Sequence, residues 1–136
     1  MHIVFAGLAG AIVLFIVDGL LQRVPIVMIT RKEFESFEGM KKWGKENKPL
    51  VNKVLIFLAE GFLFAFAYAI MRSGFSTNTI AAALQFWLVM TALRIIPESL
   101  EFWNETNYPV PLIWLEAGMD TVTCLAAAFT YAMIIT

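Results

Sequence analysis

Charged side chains, histidine and cysteine are all scarce in this chain of 136 residues. Charged residues make up 15% of the sequence, against roughly 25% in soluble domains, and 60% of the residues are hydrophobic. This balance excludes an ordinary soluble domain and indicates a membrane protein. The single cysteine, Cys124, excludes an internal disulfide and a cysteine-cluster metal site. Because the single histidine, His2, is at the terminus, the ligands that zinc and iron prefer are missing as well.

Repeats and a separate polar module are also missing. Apolar segments take up most of the length, so we predict one integral membrane domain, residues 1–136. The two halves of the chain do not match each other, which argues against an inverted-repeat transporter formed by one chain and leaves open one formed by two copies.

Four apolar segments reach the length of about 20 residues that is needed to cross a hydrocarbon core roughly 30 Å thick. They are residues 3–21, 50–71, 78–96 and 109–135. The predicted fold class is all-α, a polytopic membrane protein with a bundle of four transmembrane helices. We expect Pro25 to bend or end the first helix and Pro97 to end the third, with a loop over residues 98–108.

Basic residues are concentrated in the connection between the first two segments. They are Arg31, Lys32, Lys41, Lys42, Lys45 and Lys48, together with Lys53 at the start of the second segment. The second connection, by contrast, contains only Arg72. The positive-inside rule then predicts a cytoplasmic first loop, with both termini and the turn at residues 73–77 outside.

Part of this first loop has the pattern of an amphipathic helix at the membrane interface. Thr30 and Glu33 have the spacing of a capping box, and Phe34, Phe37 and Met40 recur at helical spacing opposite charged residues. A solvated loop whose lysines only set the topology is the alternative.

Carboxylates inside the apolar segments are the most informative feature. Glu60 lies about halfway along the second segment and Asp120 well inside the fourth. A charged side chain at mid-membrane costs roughly 2.5–3.5 kcal/mol, so such residues usually face a bundle interior, a cavity or a partner. The predicted topology brings further charged residues to the cytoplasmic half of the same bundle. The candidate ion or proton site is Asp18, Glu60, Arg94, Glu98, Glu116 and Asp120.

Something must compensate these charges, and three means are available: protonation, hydration in a cavity, or a bound cation. We expect no organic cofactor, and carboxylate ligands would suit a hard divalent cation such as Mg²⁺, Ca²⁺ or Mn²⁺. Simpler interpretations exist for part of the set. Arg94 and Glu98 have the spacing of a structural ion pair near the headgroups, and Glu98, Glu101 and Glu105 that of a solvated loop face.

The layout of the chain resembles a bacterial family of small four-helix membrane proteins of unknown function. The resemblance is carried by the proline break after the first helix, residues 86–89 (FWLV) with Pro97 beyond, and residues 111–118 (PLIWLEAG). It covers most of the chain and implies a protein of the bacterial cytoplasmic membrane. It implies no activity and no site residues.

Three functions fit these observations. The first is a small transporter or channel-like protein that binds or translocates a cation, proton or small cationic solute through an acidic intramembrane cavity, as a homo-oligomer. The second is an accessory or assembly subunit of a larger membrane complex. The third is a membrane-embedded lipid-modifying enzyme, which is least favoured because the chain has no Ser/His, Cys/His or phosphate-binding arrangement. Nucleic-acid binding is not expected, because topology accounts for the basic loop.

Overall fold

The computed structural model describes residues 1–34, 48–105 and 109–135, and every regular element in these ranges is helical. The helices are α1 (His2–Leu21), α2 (Pro25–Glu33), α3 (Lys48–Met71), α4 (Thr79–Met90), α5 (Ile96–Glu105) and α6 (Val110–Ile134). A π-helical turn, Thr91–Ile95, joins α4 to α5 without a break. The all-helical prediction is confirmed, as are four helices long and apolar enough to cross a membrane: His2–Leu21, Leu50–Gly74, Thr79–Asn104 and Val110–Ile134.

Helix ends follow local sequence signals. The first helix stops at Leu21, and Pro25 occupies the first turn of α2, where its missing N–H costs nothing. The side chain of Asn78 caps α4, because its Oδ1 accepts hydrogen bonds from the backbone N–H groups of Ile80 and Ala81 at 3.0 and 3.1 Å.

The third membrane-length helix differs from the prediction, because it continues past Pro97 as far as Glu105. A proline inside a helix lacks an N–H and its ring clashes with the carbonyl four residues earlier, here that of Leu93. The π turn directly before Pro97 widens the helix at that point, and the Ser99 hydroxyl donates to the Ile95 carbonyl at 2.7 Å. The loop predicted over residues 98–108 is therefore wrong for residues 98–105.

The capping box predicted at Thr30 is also wrong. Because α2 already begins at Pro25, Thr30 lies within the helix and Phe34 is its C-terminal cap. The rest of the predicted amphipathic helix, including Phe37 and Met40, lies outside the described residues.

Small residues let α1 approach both α3 and α6 closely. Four small residues of α1 are buried: Ala6, Gly7, Gly10 and Ala11. A Cβ atom added to Gly61 of α3 would lie 2.6 Å from the carbonyl oxygen of Gly7, and one added to Gly10 would collide with the hydroxyl of Tyr131. This is the packing of small residues between helices that brings backbones together.

Between α3 and α4 the described part of the bundle is filled by aromatic rings. Tyr68 stands edge-on to Phe86 at 5.2 Å between ring centroids, and Phe86 stands edge-on to Tyr131 at 6.2 Å. All three side chains are fully buried. Together with Phe75, they make the half of the bundle near the α3–α4 turn a solid apolar core.

The close contact at Gly61 predicts a test of the packing. Gly61→Ala places a methyl group against the backbone of α1, so we expect the free energy of unfolding in detergent to fall by about 1–3 kcal/mol. The matched control is Gly118→Ala in α6, where nothing lies within 4 Å of the added Cβ atom. That change should be neutral or raise the free energy by about 0.5–1 kcal/mol. Thermal unfolding followed by circular dichroism compares the two, and equal unfolding midpoints would contradict the packing.

Candidate functional site

A cavity of about 220 Å³ lies between α1, α3, α6 and the π turn. Its polar lining consists of Asp18, Glu60, Arg94, Asp120 and Thr123, and its apolar lining includes Leu14, Ile56 and Phe57. Glu60 is close to the middle of α3 and Asp120 lies ten residues into α6, so the cavity reaches the interior of the bundle. Four of the six residues of the candidate site thus line one space.

Helical spacing explains why these side chains converge. On α3, Lys53, Phe57, Glu60 and Phe64 follow one another at steps of four, three and four residues, which places them along one face. Leu14 and Asp18 have the same relation on α1, and Glu116, Asp120 and Thr123 on α6. On each helix these residues therefore lie on one face, and the charged ones among them lie near the same end of the bundle.

Arg94 is the cation at the centre of the cavity. Its Nη2 forms an ion pair with the carboxylate of Glu60, and its Nη1 lies 3.9 Å from the sulfur of Cys124. The guanidinium also stands over the ring of Phe64, 5.1 Å from its centroid. A partner, a thiol and an aromatic face together compensate a charge that is held among apolar helices.

The negative charge of Asp18 is compensated by residues at the same end of the bundle. Its carboxylate forms an ion pair with Lys53 and accepts a hydrogen bond from Gln22 Nε2 at 3.1 Å. Gln22 in turn accepts a hydrogen bond from Arg31 Nη1 at 2.8 Å, and Arg31 Nη2 lies 4.0 Å from a carboxylate oxygen of Glu116. This chain of contacts ties α2 to α1 and α6 beside the cavity.

Asp120 differs from the other carboxylates of the cavity. It makes no hydrogen bond and no ion pair with any residue in the described ranges, and it is exposed to the space beside it. With every side chain in its ordinary ionised form, Lys53 balances Asp18 and Arg94 balances Glu60. One negative charge, that of Asp120, is left over.

A second, smaller cavity of about 50 Å³ adjoins the first. Glu98, Glu116 and Asp120 line it, with Ser99 and Phe102. Asp120 lines both cavities and thus lies between the inner space and the space where α5 and α6 meet. The remaining two residues of the candidate site, Glu98 and Glu116, thus lie outside the inner cavity and next to it.

The π turn separates two residues that the sequence placed on one face. Arg94 lines the larger cavity and Glu98 the smaller one. The ion pair of Arg94 is with Glu60, 34 residues away, instead of with Glu98. The extra residue in the π turn shifts the register between Arg94 and Glu98, which is why the alternative of a local Arg94–Glu98 pair does not match the structure.

Three interactions of the site were not predicted from the sequence: those of Lys53 with Asp18, Arg31 with Glu116 and Arg94 with Cys124. Lys53 was interpreted only as a topology signal, although its spacing of seven residues from Glu60 places both on one face of α3. The contact between Arg31 and Glu116 and that between Arg94 and Cys124 join residues far apart in the chain, and no local pattern marks them.

Metal binding has no preformed site in the ranges 1–34, 48–105 and 109–135. No group of three or more histidine, cysteine, aspartate or glutamate side chains there is arranged to hold a metal ion. The divalent cation considered from the sequence stays a prediction.

Comparisons with known proteins give no family for this chain. No family model matches it, and no curated protein or solved structure is significantly similar to it. The resemblance to the bacterial four-helix family therefore depends on the sequence pattern alone, and function must be argued from the residues of the cavity.

Proposed function

We propose that this chain is a small integral membrane protein that binds or translocates a proton, another monovalent cation or a small cationic solute in the cavity between α1, α3, α6 and the π turn. The observation that carries the proposal is the unpaired carboxylate of Asp120. A carboxylate among membrane-length helices needs a proton or a cation, and no cation of the described residues forms a direct ion pair with Asp120.

The charge balance favours a cargo with one positive charge. Arg94 and Lys53 neutralise Glu60 and Asp18, so a divalent ion in the larger cavity would meet only one carboxylate without an ion pair to a described residue, that of Asp120. Divalent cations are typically held by several oxygen ligands with more than one negative charge. A proton on Asp120, or one monovalent cation beside it, leaves the cavity neutral.

The shape of the bundle supports an inner site that is reached from one end. On one side of the site, Asp120 is exposed and lines the second cavity as well as the first. On the other side, Tyr68, Phe86 and Tyr131 fill the bundle, and the Tyr131 hydroxyl donates to the Gly61 carbonyl at 3.2 Å directly beyond Glu60. In this conformation the site is closed towards the α3–α4 turn, as expected for one state of a carrier.

Removal of the free carboxylate tests this function. Asp120→Asn keeps the size of the side chain and removes its charge, so we expect it to abolish uptake of protons, K⁺ or methylammonium into vesicles that contain the purified protein. A pH-sensitive dye trapped in the vesicles reports the flux of protons and methylammonium, and a K⁺-sensitive dye reports that of K⁺. Glu101→Gln is the matched control, because Glu101 is an exposed carboxylate of α5 that lines neither cavity. Equal uptake by wild type and Asp120→Asn would rule out the proposal.

Arg94 sets the charge of the cargo in this proposal, which gives a second test. Arg94→Gln leaves Glu60 without its cation, so two free carboxylates face one cavity. We expect this variant to bind Mg²⁺ or Ca²⁺ at least about tenfold more tightly than wild type, a difference of about 1.4 kcal/mol. Isothermal titration in detergent measures the affinity, and size-exclusion chromatography confirms that the variant is folded.

Arg94→Lys is the control for this experiment, because it keeps the positive charge and should leave divalent binding weak. If folded Arg94→Gln and Arg94→Lys bind the divalent ions equally, the charge balance does not select the cargo.

The proposed orientation follows from the basic residues of the first connection. We propose that this connection is cytoplasmic and that both termini and the α3–α4 turn are outside, in a bacterial cytoplasmic membrane. Assembly of the chain into a homo-oligomer or a larger complex stays a prediction.

Single cysteines test the orientation in intact cells. In a Cys124→Ala background, Ser73→Cys lies in the exposed α3–α4 turn and Glu33→Cys at the exposed end of α2. We expect a membrane-impermeant maleimide to label Ser73→Cys directly and Glu33→Cys only after the membrane is opened. The reverse pattern of labelling would show that the orientation is wrong.

A further inference from the structure

On α2, large apolar side chains point away from the bundle, which is the reverse of a helix on the surface of a soluble protein. Val27, Thr30, Arg31 and Phe34 follow one another at steps of three, one and three residues and form the face turned to the bundle. Val27 is buried against it, at 3% exposure. The outward face carries Ile26, Met28 and Ile29, which are 64%, 57% and 67% exposed.

Large apolar side chains in such number on an outward face call for a covering partner. On α1, Ile12, Ile16 and Leu20 are likewise exposed at four-residue intervals, and so is Val24 directly before α2. Because α1 has the length and composition of a membrane span and α2 begins only four residues after it ends, the exposed apolar side chains of α2 lie close to those that a bilayer would cover. The occupant of the outward face of α2 is therefore the bilayer.

Cations flank this apolar face. Arg23 precedes α2, and Lys32 lies in its last turn, and both are exposed. Arg31 is engaged on the other side of the helix by Gln22 and Glu116, so it is not among the outward charges. The one acid on the outward face of the described helix is Glu33. Apolar side chains between two outward cations match the boundary between acyl chains and phosphate groups.

We propose that α2 docks on anionic phospholipid headgroups, with Ile26, Met28 and Ile29 in the acyl region and with Arg23 and Lys32 on the phosphates. Juxtamembrane cations gain free energy from anionic lipid and little from zwitterionic lipid, which is why the partner is an anionic surface. The proposal does not depend on the cargo of the cavity. It depends only on the faces of α2 and on the charges at its ends.

Lipid contact is measurable with a label on the outward face of α2. The full chain carries Cys124→Ala and Met28→Cys, is labelled with bimane, and is placed in phosphatidylcholine bilayers that contain brominated lipid. We expect brominated phosphatidylglycerol to quench the label several times more effectively than brominated phosphatidylcholine. Relative affinity for the anionic lipid should fall roughly fivefold for each cation removed in Arg23→Gln and Lys32→Gln.

Two controls separate lipid selection from general charge. Glu33→Gln removes the outward acid and should increase the preference for phosphatidylglycerol, while a label at Ile80→Cys, exposed at the other end of the bundle, should show no preference. Equal quenching of the Met28→Cys label by both lipids overturns the selection of anionic headgroups. A label that neither lipid quenches overturns the contact itself.

Discussion

The ion pair between Arg94 and Glu60 is the interaction on which the arrangement of charges in this bundle depends. A guanidinium cannot stay unpaired among membrane-length helices, so the ion pair of Arg94 ties the third of these helices to the middle of α3, in addition to the aromatic contact of Tyr68 with Phe86. Phe64 beneath the guanidinium and Cys124 beside it complete its surroundings. Because Arg94 pairs with Glu60 and Lys53 with Asp18, Asp120 faces the cavity without an ion pair to any residue that the structure describes, and this sets it apart from the other two carboxylates.

The bundle divides into two halves of different construction. Near the α3–α4 turn, alanines and glycines bring backbones together and aromatic rings fill what is left, as in the contact of Tyr68 with Phe86. Towards the other end the helices carry charged stripes and leave two cavities that Asp120 lines. Glu60 and Gly61 mark the boundary, since one residue faces the cavity and the next accepts the hydrogen bond of the buried Tyr131.

Sequence patterns were sufficient to predict the four long apolar helices and the end of the bundle at which the acidic residues gather. They were not sufficient to predict which charged side chains pair between helices. Hydropathy and length locate the four long helices, since these depend on local composition. The continuation through Pro97 was missed because a π turn has no sequence signature, and its register shift then changed the partner expected for Arg94. The helix start expected at Thr30 was wrong because Pro25, five residues earlier, is an equally good first-turn residue. Side-chain pairing across helices depends on rotation and depth, which periodicity alone does not fix.

The close backbone contact of Gly61 with α1 has a mechanical consequence. At Gly61 the two helices touch through backbone atoms, so no side chain between them can rearrange to let α1 move relative to α3 without loss of the contact. The third long helix is attached differently, through aromatic edges, one ion pair and its seam with α6, and it contains the proline and the widened turn. The widened turn thus places Arg94, and with it the ion pair to Glu60, on a stretch of helix whose hydrogen bonding departs from the α pattern.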